Sequence, residues 1–68
     1  MNEINFYCKR FDLDVVVEDE NILAFKDNIK VLEANLNNRY VSIFVLGEKK
    51  VFKKGDLILS ILNDIELH

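Results

Sequence analysis

Apolar and polar residues alternate from the start of the chain. Ile4, Phe6 and Cys8 are interleaved with Asn5, Tyr7 and Lys9; Phe11, Leu13, Val15 and Val17 then alternate with Asp12, Asp14 and Val16. A period of two places alternate side chains on opposite faces of a strand, so Ile4–Val17 is expected to be extended. The apolar set moves from even to odd positions near Lys9–Arg10. One flat strand cannot do this, and a bulge or tight turn is expected there. Glu18–Asn21 follows as a polar loop.

The next segment supports two readings. Ile22, Phe25, Ile29, Leu32 and Leu36 are separated by three, four, three and four residues, the spacing of one helical stripe, and one helix over about residues 20–37 satisfies it. Asp27-Asn28, however, is a good N-cap pair, because a short side-chain oxygen can take up free helix N–H groups. The preferred reading is a short strand at 22–25 and a helix at 28–37, closed by Asn37-Asn38, since asparagine tolerates the left-handed conformation common at helix C-termini.

Tyr40–Leu46 is β-branched and aromatic with little polarity on either face, which predicts a central strand covered on both sides. Gly47-Glu48-Lys49 predicts a turn and Val51-Phe52 a returning hairpin arm. Lys54-Gly55-Asp56 predicts a second turn. Leu57–Leu62 then reads as a further strand entered straight from that turn, or as a helix capped by Asp56 with Ile58, Ile61, Leu62 and Ile65 inward; the strand is slightly favoured. The expected fold is a single α+β domain over residues 1–68: a small, mostly antiparallel sheet with one central helix at about 28–37.

Sixty-eight residues make a small domain, and a chain of this size buries only about 60% of the surface its unfolded form exposes. Disulfides, metals or self-association commonly supplement so small a core. The single cysteine, Cys8, excludes an internal disulfide, and with one histidine, His68, there is no zinc-ligand spacing. Self-association remains, and half the residues are hydrophobic; a homo-oligomer is expected, with a dense monomeric core as the alternative. Met1–Asn5 is polar with no apolar run of a secretion signal after it, and Leu57–Leu62, interrupted by Ser60, is far too short to span a bilayer. A cytoplasmic protein without membrane contact is expected.

The net charge of −3 argues against a general nucleic-acid binder. The charges are also segregated. Asp12, Asp14, Glu18, Asp19 and Glu20 form an acidic block, whereas Arg39, Lys49, Lys50, Lys53 and Lys54 lie in the second half of the chain. Two solvated faces account for this, as does complementary docking between subunits or an anion-binding patch.

Catalytic chemistry is not visible. A nucleophile needs an adjacent base and an orienting group, and Ser42 and Ser60 have no base near them in sequence. Cys8 reads as a packed small hydrophobe, and Asp12 and Asp14 as a solvated strand face. Two glycines, Gly47 and Gly55, cannot build a phosphate loop. No enzyme activity, cofactor or metal is expected. The candidate ligand- or partner-binding residues are Arg39 and Tyr40, at the mouth of the clearest strand, with Lys49, Lys50, Lys53 and Lys54 around the following hairpin. A basic hairpin near aromatics suits phosphates, nucleotides or single-stranded nucleic acid, although lysines also solubilise hairpins and protect sheet edges.

The run Asp27-Asn-Ile-Lys-Val-Leu-Glu-Ala-Asn-Leu-Asn-Asn-Arg-Tyr-Val-Ser-Ile-Phe-Val45, with the upstream Phe11-Asp-Leu-Asp-Val15, resembles the small YonK-type proteins of Bacillus prophages over about half the chain. The resemblance implies a multimeric phage accessory protein, in the host cytoplasm if phage-encoded, with no catalytic residues to carry over. A helix followed by Val41-Ser-Ile43 and a glycine turn is also similar in outline to Sm-like RNA-binding rings. The leading expectation is a homo-oligomeric protein that acts by stoichiometric binding, inhibiting a host protein or sequestering a small anionic ligand. The alternatives are an RNA- or single-stranded nucleic-acid-binding module built on the basic hairpin, and a structural subunit of a larger assembly.

Overall fold

The computed structural model describes residues 3–67, with side chains as far as Asn63. Its elements are α1 (Glu3–Arg10), β1 (Asp14–Glu18), β2 (Asn21–Lys26), β3 (Ile29–Asn35), β4 (Tyr40–Val45), β5 (Glu48–Lys53) and α2 (Asp56–Leu67). The five strands form one antiparallel sheet in chain order, each paired with its sequence neighbours. The fold is α+β and mostly sheet, as expected, but the expected central helix is absent. One helix precedes the sheet and the other follows it.

The first correction falls on residues 4–10 of the segment Ile4–Val17, whose last four residues are extended in β1 as expected. Ile4 and Cys8 both point inward, as the alternation implied, but they do so from a helix, where a spacing of four is one turn. Glu3 in the first turn and Lys9 and Arg10 in the last complement the helix dipole. The phase change at Lys9–Arg10 marks the helix end and the turn at Phe11-Asp12 that follows it, so the expected tight turn is present and the bulge is not. Asp12 takes a left-handed φ of 56°. The Leu13 amide donates to the Cys8 carbonyl at 2.9 Å and the Asp12 amide to that of Lys9 at 3.3 Å. This pair of bonds is the Schellman arrangement that satisfies the last helix carbonyls.

The second correction falls on residues 28–37. Asp27 and Asn28 form a two-residue hairpin turn, with φ of 53° and 66°, the positive pair required when right-twisted strands are joined so tightly. The residue types that favour an N-cap also favour this turn, so composition could not separate the two. The register between β2 and β3 slips by one residue: Ala24 faces Leu32 but Phe25 faces Lys30, leaving Val31 as a bulge. The bulge interrupts the alternation that would have betrayed a strand and leaves Ile29, Leu32 and Leu36 with a helix-like spacing. Ile29 and Leu36 are in fact exposed. The strand expected at 22–25 is β2.

The third correction concerns Leu57–Leu62, which is the first half of α2 and not a strand. Its inward residues are Leu57 and Ile61; Ile58 is half-buried, Leu62 is exposed, and the side chain of residue 65 lies outside the described residues. The turn expected at Lys54-Gly55-Asp56 is present at Lys54-Gly55, whereas the one expected at Gly47-Glu48-Lys49 lies at Leu46-Gly47, and Glu48 and Lys49 open β5. Strand β4 matches the expectation for Tyr40–Leu46 in position but is covered on one face only.

That covered face is the core. Ile22, Ala24, Leu32, Ala34, Val41 and Ile43 from the sheet meet Ile4 and Cys8 of α1 and Leu57 and Ile61 of α2, all at 5% exposure or less. Full burial of such a leucine or isoleucine is worth about 1.5–3 kcal/mol. Ala24 and Ala34 have small side chains at points where larger ones would hold the helices off the sheet. Burial also pushes the Cys8 thiol pKa upward from its ordinary value, consistent with a packed role.

Candidate functional site on the uncovered sheet face

Alternation along each strand turns every second residue away from the helices, and the register arranges these residues in rows. One row runs Asp14, Phe25, Lys30 and, from β4 to β5, Phe44 and Lys49; the next runs Val16, Leu23, Glu33, Ser42 and Val51. Asn21 faces Asn35 and Tyr40 faces Lys53 in the third. The β1 side of this face is acidic and the β5 side basic. Aromatic rings lie between them.

A groove of about 360 Å³ opens on this face, lined chiefly by Glu33, Asn35, Asn38, Tyr40, Ser42 and Lys49. Side-chain hydrogen bonds hold its walls. Asn35 Nδ2 donates to Asn21 Oδ1 at 3.0 Å, and Asn35 Oδ1 accepts from the Asn37 amide at 2.9 Å. Asn38 Oδ1 accepts from the Tyr40 amide at 3.0 Å and so positions the start of β4. The carboxylate of the groove, Glu33, is met by Lys30 at 3.1 Å, whose ammonium also lies 5.2 Å from the Phe44 ring centroid. Lys49 makes no ion pair among the described residues, so the local balance is positive.

Beside the groove, Arg39, Lys53 and Lys54 border a notch of about 440 Å³ with Leu36, Asn37 and Gly55. The residues expected to bind therefore divide into three. Tyr40 and Lys49 belong to the groove. Arg39 and Lys53 border the notch, one cross-strand step away. Lys54 lines the notch too, but its Nζ donates to the Asn35 and Leu36 carbonyls at 3.1 and 3.3 Å, where it holds the β3–β4 turn. Lys50 stands apart from them, opposite Ile43 on the other face of the sheet.

Reasoning from sequence missed Glu33, Asn35, Asn38 and Ser42 as members of one site. The sequence pattern puts Asn35 and Glu33 on a helix, and Ser42 on a strand covered on both sides. The signal that would have found them is Asp27-Asn28 read as a hairpin turn, which places Glu33 and Ser42 opposite each other.

Among the described residues, no group of His, Cys, Asp and Glu is placed to hold a metal ion, and no helix is long and apolar enough to cross a membrane. The chain matches no protein-family model, no curated protein and no solved structure.

Proposed function

We propose that this is a non-enzymatic, homo-oligomeric binding protein that captures a small anionic ligand on the uncovered half of its sheet. The observation that carries the reading is the one-sided cover. The helices fill one face, and the other presents a polar groove in which the carboxylate is already neutralised by Lys30. Lys49 in the groove and Arg39 and Lys53 at the notch are left to meet an anion, with Tyr40, Ser42 and Asn38 as neutral hydrogen-bonding groups. Fixed donors around an open concavity suit a phosphate or carboxylate better than an apolar ligand. On the prophage resemblance, such capture is the work of a phage accessory protein in a host cell; inhibition of a host protein by the same face is a variant of this reading.

The test is native mass spectrometry of gently purified protein, followed by calorimetric titration with inorganic phosphate and nucleoside mono- and diphosphates. Added mass in the native spectrum, or saturable binding weakened about tenfold or more by Arg39→Ala or Tyr40→Ala, supports the reading. Bare protein together with flat titrations would overturn it.

A second reading rests on the aromatic rings. Phe44 and Tyr40 share the face with Lys30, Lys49 and Lys53, and bases stack on such rings while lysines follow the phosphates. Binding of single-stranded RNA or DNA of this kind weakens steeply with salt, with a slope set by the number of phosphate contacts. Absence of binding at low salt removes this reading.

A further inference from the structure

The two edges of the sheet differ in a correlated way. Strand β1 pairs only with β2, and β5 only with β4, so each leaves one row of backbone N–H and C=O groups open. Bare edges are usually protected by lysines, prolines, bulges or short length. Strand β5 carries Lys49, Lys50 and Lys53. Strand β1 has no lysine, proline or bulge; at five residues it is the shortest strand, Asp-Val-Val-Val-Glu with a carboxylate at each end, and it is exposed throughout, with Val15, Val16 and Val17 at 42, 43 and 62%.

On the uncovered face the two edges carry the same pattern with opposite charge. Asp14, Val16 and Glu18 stand on β1, and Lys49, Val51 and Lys53 on β5. The spacing is identical, with a half-exposed valine at each centre. On the helix side, Val15 and Val17 project beyond the core. Helix α2, which packs against β5, leaves Leu59 and Leu62 exposed on that same side of the sheet.

We infer that copies of this chain join edge to edge, β1 of one copy against β5 of the next, to extend the sheet. Asp14 then meets Lys49, Val16 meets Val51, and Glu18 meets Lys53. Strands in an odd-numbered antiparallel meander begin and end in the same direction, so the joint is parallel when successive copies present the same face. Joining β1 to β1 or β5 to β5 sets like charges opposite each other, which is destabilising. The contact is therefore heterologous, and it builds a closed ring or an open filament, not a two-fold dimer. The inference rests on the homo-oligomer of the proposed function and gives it a defined contact; Lys49 and Lys53 then serve the joint as well as the site, and Arg39 at the notch is the cation that the assembled state leaves wholly to the anion. Asp14 and Glu18 lie outside the ligand groove, so variants there separate the joint from ligand capture.

Two charge-reversed proteins test it: Asp14→Lys with Glu18→Lys, and Lys49→Glu with Lys53→Glu, their folding checked by circular dichroism. Sedimentation velocity is expected to show an assembled wild type, each reversed protein alone as monomer, and assembly restored on mixing the two, because each then supplies the edge the other lacks. Carbodiimide cross-linking of the wild type, with one isotope-labelled and one unlabelled copy, is expected to join Lys49 or Lys53 to Asp14 or Glu18 between copies. This second measurement stands if a variant fails to fold. A monomeric wild type, assembly indifferent to both reversals, or cross-links confined to other surfaces overturns the joint. Anion binding by a monomer does so while leaving the binding reading intact.

Discussion

Leu32 and Glu33 are neighbours on β3, yet they occupy opposite environments. Leu32 is fully buried against the two helices, whereas Glu33 is exposed on the bare face and held by one lysine. The contrast extends to the whole sheet. The core on the covered face contains no charged residue among the described ones, and ten residues at 5% exposure or less carry it. The uncovered face has few constraints from packing, so its rows can hold a charge gradient, a polar groove and the half-exposed ring of Tyr40 at little cost in stability. A chain this short has one core to build, and a one-sided sheet leaves the other side available for contact.

Substitutions rank by the face they touch. Leu32→Ala removes buried methyl groups beneath both helices and is expected to lower unfolding free energy by about 2–5 kcal/mol, read as a reduced urea midpoint. Lys54→Met acts between the faces. It keeps the stem but loses the ammonium that serves two turn carbonyls, with an expected cost of about 1–2 kcal/mol and faster amide exchange in residues 36–39. Leu46 is fully exposed at a left-handed φ of 52°, which is unfavourable for a side chain with a Cβ. Leu46→Asn is therefore expected to raise stability by about 1 kcal/mol in thermal unfolding. Glu33→Gln, next to Leu32, breaks a half-exposed ion pair, and its effect is expected to stay within about 0.5 kcal/mol and vanish in high salt. A loss at Glu33 as large as that at Leu32 would overturn the contrast between the faces.

How much of this was legible beforehand depended on local ambiguity. Strand β4 was visible because Tyr40–Val45 is β-branched and aromatic, and β2 because a polar loop preceded it and Asp27-Asn28 closed it, although as a hairpin turn and not as the expected N-cap. Ile4 and Cys8 were recognised as inward although their element was mistaken, because a separation of four residues returns to the same side in a strand and in a helix. Strand β3 was hidden by the bulge at Val31, and α2 by an apolar run whose length suits either element. The basic residues were legible as a group, but their division was not. Only the register shows that Lys49 and Lys53 share a face, that Lys50 opposes Ile43, and that Lys54 is occupied by two carbonyls.

By itself, the order of residues determined the α+β class, the largely antiparallel sheet, the turn at 54–55, a turn at Gly47 between β4 and β5, and the opposite charge of the chain's two halves. Each depends on interactions a few residues apart: alternation, turn propensity and composition. Tertiary structure decided whether residues 4–10, 29–35 and 57–62 became helix or strand, which face the helices covered, and which charged residues were brought into one row. The reason is physical. A short apolar segment gains comparable local stability in either conformation, and the choice falls to hydrogen bonds and buried contacts with partners far away in the chain.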